Sequence, residues 1–166
     1  YDDAANGLSS YFVWLNRGKE SLVLDLTREE DRTRLHALIA AADILVQNLK
    51  RGALARLGFD IAALRREYPR LIACSISGYG DNGPYADRKS YDALIQAETG
   101  LTSITGTDAP ARVGFSVVDI STGATAHAAI LEALIARGRT GQGADIRVSL
   151  FDVMADWLSV PLLHAA

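Results

Sequence analysis

Apolar positions along this chain follow two rhythms. Four short runs read as strands: Ser21 to Leu26 (SLVLDL), Asp43 to Asn48 (DILVQN), Leu71 to Ile76 (LIACSI) and Ala144 to Leu150 (ADIRVSL). The last alternates apolar and polar positions. Between them the spacing turns helical. Thr27 followed by Glu30 has the form of a capping box, and Leu35, Leu38, Ile39 and Ala42 continue at helical intervals. Leu54 to Leu57 predicts one helical turn stopped at Gly58. Asp60 predicts the cap of a helix from Ile61 to Glu67, with Pro69 beyond it.

Ser90 predicts the cap of a helix from Tyr91 to Thr99, stopped by Gly100, and a loop with Gly106, Pro110 and Gly114 follows. Asp119 opens the longest helical pattern. Its apolar stripe is Ile120, Ala124, His127, Leu131, Leu134 and Ile135, which predicts a buried face with His127 on it and an end at Gly138. GRTGQG is a turn. A final helix carries Phe151, Met154, Trp157 and Leu158, ended or kinked by Pro161. Strands alternating with helices make the fold class α/β with a largely parallel sheet and flanking helices.

One loop tests that reading. Gly78 to Gly83 (GYGDNG) spells G-x-G-x-x-G directly after a strand. A dinucleotide loop needs a helix to start at its last glycine, with backbone N–H groups aimed at a pyrophosphate. Here Pro84 to Lys89 lack helical spacing, so no nicotinamide or flavin site is expected.

The 166 residues are 49% hydrophobic and 22% charged, which suits one domain with a real core. A net charge of -3 and the lack of a basic run give no reason to expect nucleic acid. The apolar stretches are far shorter than a membrane span, so no membrane partner is expected. The single cysteine, Cys74, sits in an apolar run. It reads as a buried strand residue rather than a reactive thiol, and it points to a reducing cytoplasm. The ends, Tyr1 and the apolar Leu162 to Ala166, read as cut from something longer.

Candidate chemistry is sparse. His36, His127 and His164 are scattered and no C-x-x-C or H-x-x-x-H occurs, so no metal site is expected. Ser77 lacks a nucleophile elbow, and GRTGQG lacks the ending of a phosphate loop. Asp119 has two readings. It is an N-cap accepting backbone N–H bonds, or it is a functional carboxylate, oriented by those groups, kept ionised by the helix dipole and able to attack an acyl group. Arg56, Lys89 and Tyr91 read as surface or helix-end residues unless a ligand meets them.

Five blocks in order carry a resemblance: NRGKESLVLDL, ADILVQNLKRGALARLGFD, LIACSISGYGDNGPYADRKSYDALIQAETGL, VGFSVVDISTG and ARGRTGQGADIRVSLFDVM. Together they resemble the class III CoA-transferase family, which includes formyl-CoA transferase, carnitine CoA-transferase and the 2-methylacyl-CoA racemases. The resemblance implies that residues 1–166 are the central part of a large Rossmann-like domain, without the N-terminal strand and the C-terminal small domain. It implies coenzyme A or acyl-CoA as substrate, a carboxylic acid as second substrate and no permanently bound cofactor.

It also implies a homodimer of interlocked subunits, and little activity for an isolated fragment. Asp119 matches the family's catalytic aspartate. Asn48, Leu49, Arg56, Lys89, Tyr91 and Leu24 match positions that touch CoA. CoA transfer through an aspartyl-CoA thioester is then the leading expectation. The racemase alternative expects His where Tyr91 stands, and an inactive CoA-binding or partner-binding module is the third. ITGTDAPARVGF looks most like the branch handling small dicarboxylates such as succinate, malate, mesaconate or itaconate.

Overall fold

The computed structural model describes residues 3–165, so Tyr1, Asp2 and Ala166 lie outside the described residues. They form two compact units, residues up to Leu35 and residues from His36 onward.

The first unit holds a short helix α1 (Ser10–Leu15) and the start of α2 (Glu29–Ala41). The expected strand at Ser21 to Leu26 is not formed. The segment pairs with no ladder among the described residues, and Val23 is 92% exposed. An apolar run alone cannot make a strand, because its backbone groups need a neighbouring one. The capping box is also absent. The Thr27 hydroxyl donates to Asp25 Oδ1 at 2.6 Å, and α2 begins two residues later.

The second unit contains a parallel sheet in the order β1 (Ile44–Gln47), β2 (Ile72–Ser77), β3 (Asp145–Ser149). Between β1 and β2 run α3 (Ala53–Arg56) and α4 (Ile61–Glu67). Between β2 and β3 run α5 (Asp92–Glu98), α6 (Leu101–Ile104) and the long α7 (Val117–Thr140); α8 (Leu150–Trp157) and α9 (Ser159–Ala165) complete the chain. The α/β expectation therefore holds, with three of its four strands formed. Asp60 caps α4 as expected, accepting from Ala63 N at 2.8 Å.

One face of the sheet is apolar. Cys74 and Val148, with Ile76 and Ile146, pack against Ala126, Ile130 and Val153. Cys74 is fully buried, and burial pushes its thiol pKa up, as suits an inert core residue. In register on the other face, Gln47, Ser75 and Arg147 lie in a row, followed by Ser77 and Ser149. A second core joins α5, α7 and α8 through Ile95, Val118, Met154 and Leu158. Trp157, on the same helix as Met154, is exposed.

Helix α7 reverses the expected face. Val118, Ser121, Thr122, Ala126 and Ala133 are buried, whereas Ile120, Leu131, Ile135, Ala124 and His127 are exposed. Small residues let the helix approach the sheet closely. Both buried hydroxyls are satisfied by Val118 O, at 3.0 Å from Ser121 and 2.7 Å from Thr122. Arg137, near the far end, donates to the carbonyls of Asp43 (3.3 Å) and Arg70 (3.1 Å), just ahead of β1 and β2.

The helix also runs through Gly138 and ends at Gly141, whose φ of 73° closes it by a bond to Arg137 O. Gly141 alone supplies the left-handed stop. Gly143 has a different duty. A Cβ there would stand 2.0 Å from Leu71 O, where β3 begins alongside β2. Gly143→Ala is therefore expected to destabilise the fold by more than about 2 kcal/mol. Gly138→Ala, with open space around its Cβ, should stabilise it by up to about 1 kcal/mol. Urea unfolding of both variants checks the pair.

Candidate active site

The C-terminal ends of parallel strands are where an open α/β sheet leaves a crevice for ligands. Here a groove of about 790 Å³ opens at that edge. Asn48 to Arg51 line it after β1, Ile76 to Gly78 at the end of β2, and Ala86 to Asp92 beyond the glycine loop. Asp119, Thr122 and Gly123 come from the first turns of α7, and Leu150 from the start of α8.

The glycine loop makes this possible without a helix at its end. Turns and bends fill it until α5 begins at Asp92. Gly80 and Gly83 take φ values of 82° and 92°, which favour glycine. Gly78 is small for another reason: a Cβ there would lie 2.1 Å from Ser90 Oγ. That close approach brings the Lys89–Tyr91 stretch against the end of β2. The loop is packed, with Tyr79 against Tyr85 at 5.7 Å and the Arg88 guanidinium 3.9 Å above the Tyr85 ring. Ser90 is no cap; Tyr91 holds that position on α5 without a side-chain bond.

Asp119 is the third residue of α7, not its cap. Ser116 is the N-cap residue and makes no side-chain capping bond. Asp92 does this work from α5, its Oδ2 accepting from Val118 N at 2.8 Å and Asp119 N at 3.2 Å. Asp92 Oδ1 accepts from Gln96 Nε2 at 2.5 Å, and the fully buried Gln96 accepts from Val113 N at 2.8 Å. The Asp119 carboxylate is thereby left open to the groove.

Asp119 keeps contact with solvent there, yet the surrounding protein removes enough water to raise its pKa above the ordinary carboxylate value. The negative charge of Asp92 adds to the rise. This direction is opposite to the one that a helix dipole alone would give. Lys50, Arg51, Arg88 and Lys89 line the same groove. Arg51 pairs with Asp87 at 3.6 Å and Arg88 with Glu98 at 3.5 Å.

Of the residues singled out in the sequence, Asn48, Leu49, Lys89, Tyr91 and Asp119 line this one groove. Arg56 does not. It ends α3 and donates to the carbonyl of Arg51, itself a groove residue, at 3.4 Å. Leu24 belongs to the first compact unit and is half-buried there. Sequence reasoning passed over Asp92 and Gln96, whose partners lie 26 and 17 residues away. Among the described residues no cluster of three or more metal-ligating side chains occurs, and no helix is long and apolar enough to cross a membrane.

A carboxylate in the first turn of α7 thus faces a crevice at the strand ends that Lys and Arg side chains also line. The comparisons with known proteins give that site a family. The profile of CoA-transferase family III matches residues 2–166, and the chain belongs to that family. It is 41% identical over 155 residues to succinate–glutarate CoA-transferase of Agrobacterium fabrum, covering 92% of this chain and 39% of that protein. It is 44% identical over 147 residues to acetyl-CoA:oxalate CoA-transferase of Acetobacter aceti, covering 87% and 38%. The crystal structure of a CAIB/BAIF family protein from Brucella suis superposes with a TM-score of 0.85 at 40% identity, covering 89% and 39%. The chain thus spans about two fifths of the length of these relatives.

The raised Asp119 pKa has a stability consequence. Burial favours the protonated carboxyl in the folded chain, so its contribution is present below the unfolded value and lost as pH rises through the folded one. Asp119→Asn is therefore expected to melt no lower than the parent at pH 7. Any advantage should shrink towards pH 4, which thermal unfolding at the two pH values reads out.

Proposed function

We propose that this chain is the central part of the large domain of a family III CoA-transferase, moving CoA between an acyl-CoA thioester and a carboxylic acid. The observation that carries the proposal is the uncapped Asp119 carboxylate opening into a cation-lined groove at the strand ends. Lys89 and Lys50 suit the anionic phosphates of CoA, and Leu49 offers apolar surface to its adenine. Arg56 and Leu24 are assigned to the same ligand on the family resemblance.

In the proposed cycle an Asp119 oxygen attacks the donor thioester carbonyl, and the C–S bond breaks to release CoA thiolate. A mixed anhydride remains on the side chain. The thiolate attacks the aspartyl carbonyl and expels the donor acid as its carboxylate, leaving an aspartyl-CoA thioester. The acceptor carboxylate attacks this thioester, and the freed thiolate then attacks the acceptor's carbonyl, restoring Asp119. Two easier exchanges replace one hard one. CoA enters and leaves as substrate, with no permanent cofactor required.

Relatives named for succinate, glutarate and oxalate support small dicarboxylates as the acids exchanged. Tyr91, where the racemase pattern has His, supports transfer over racemisation, since an imidazole is the usual side chain for shuttling a proton near neutral pH and a phenol is not. The exposed Ile120, Leu131 and Ile135 on α7, with Trp157, Val160 and Leu163, support an interlocked homodimer in the full-length protein. A cytoplasmic location fits acyl-CoA substrates.

Three measurements test the reading. Mass spectrometry of the full-length protein mixed with succinyl-CoA is expected to trap an acyl or CoA adduct on Asp119. Asp119→Ala should lower CoA exchange by more than about 10³-fold, assayed over succinyl-, acetyl- and formyl-CoA with glutarate, oxalate and mesaconate; an unchanged rate refutes the assignment. Residues 1–166 alone should bind CoA weakly and associate on gel filtration; tight binding by a clean monomer would contradict the domain assignment.

A further inference from the structure

Two residues of α5 hold the start of α7. Gln96 is fully buried and spans Asp92 Oδ1 (2.5 Å) and Val113 N (2.8 Å), while Asp92 Oδ2 takes the N–H groups of Val118 and Asp119. The loop entering α7 and the backbone of the proposed nucleophile are therefore fixed by one two-residue clamp. We infer that Asp92 and Gln96 are positioning residues for CoA transfer, aiming the Asp119 carboxylate into the groove and placing a second negative charge beside it. This inference rests on the assignment of Asp119 above.

The choice of group points to a role beyond folding. Ser116, the local N-cap residue, has a side chain of the kind that accepts helix N–H bonds without bringing charge. It makes no such bond, and a carboxylate from another helix is used instead. A negative charge near the nucleophile disfavours ionisation of Asp119 and raises its basicity. The other charged or titratable groups facing the groove are Lys50, Arg51, Asp87, Arg88, Lys89 and Tyr91. Arg51 and Arg88 are engaged by Asp87 and Glu98, which leaves Asp92 as the carboxylate whose Coulomb effect raises Asp119.

The clamp permits an exchange that separates charge from hydrogen bonding. Asp92→Asn alone turns an amide towards the Gln96 amide and mismatches the clamp. Adding Gln96→Glu restores every bond: the Asn oxygen accepts from the helix, its NH₂ donates to the new carboxylate, and that carboxylate also accepts from Val113 N. The net charge is kept, but the charge moves from position 92 to position 96, one hydrogen-bond link further from Asp119.

In the full-length enzyme, with succinyl-CoA and glutarate or the best pair from the panel above, Asp92→Asn is expected to lose about 10²-fold in kcat. KM for the acyl-CoA should change little. The double variant should recover most of that rate and the parent melting temperature, with the acid limb of its kcat/KM profile moved to lower pH. An unmoved acid limb overturns the charge role. A double variant melting as low as the single one overturns the clamp. Parallel assay of Asp119→Ala separates these failures from failure of the nucleophile assignment, because only the latter leaves that variant active.

Discussion

A long helix starts with N–H groups that lack intrahelical partners, and what accepts them here decides what Asp119 can do. Had Asp119 or Ser116 satisfied them, the Asp119 carboxylate would be tied up or the helix start would be set by a neutral local cap. Asp92 accepts two of them from α5 instead. The rest of the site depends on that bond pair. It fixes α7 against α5, seals Val118 in the core with Ile95 and Met154, and leaves the carboxylate one residue later facing the groove.

The sheet supplies the other half of the geometry. Three strands in parallel register bring their C-terminal ends to one edge, so residues distant in sequence converge there without individual contacts to guide them. Arg137 holds the opposite edge by bonding the carbonyls of Asp43 and Arg70. Small buried residues on α7 set how near the helix approaches the apolar sheet face. The close seat of Ser90 on Gly78 sets how near the Lys89–Tyr91 stretch comes to the end of β2. Position in this groove is thus a property of packing distances, which explains why glycines border it for steric as well as conformational reasons.

What was legible in the sequence was local. The strands at residues 44–47, 72–77 and 145–149 and the Asp60 cap follow from runs and neighbours a few residues apart. The rejected dinucleotide loop was local too, since the missing helix after Gly83 could be read directly. The failures are non-local. SLVLDL has strand composition but pairs with nothing among the described residues. The helical spacing of apolar residues points Ile120, Leu131 and Ile135 to the core, whereas the core accepts alanine, serine and threonine for close approach. The clamp is invisible in the sequence because Asp92 and Gln96 read as ordinary polar positions on a short helix, and their backbone partners lie outside it. Asp119, Lys89 and Tyr91 stand out by residue type and position, whereas Asn48 and Leu49 enter only with the family pattern.

The raised basicity of Asp119 bears on how the proposed anhydride divides. A returning thiolate expels whichever carboxylate is the weaker base. A donor acid with an ordinary pKa leaves more readily than a side chain whose pKa is raised, so attack falls on the aspartyl carbonyl and the enzyme-bound thioester forms. The last step reverses the demand, because there the aspartate itself must leave. In the proposed cycle, burial beside one neighbouring negative charge supplies the rise that favours the first division, and the Lys and Arg side chains lining the same groove offer the positive charge that a departing carboxylate needs.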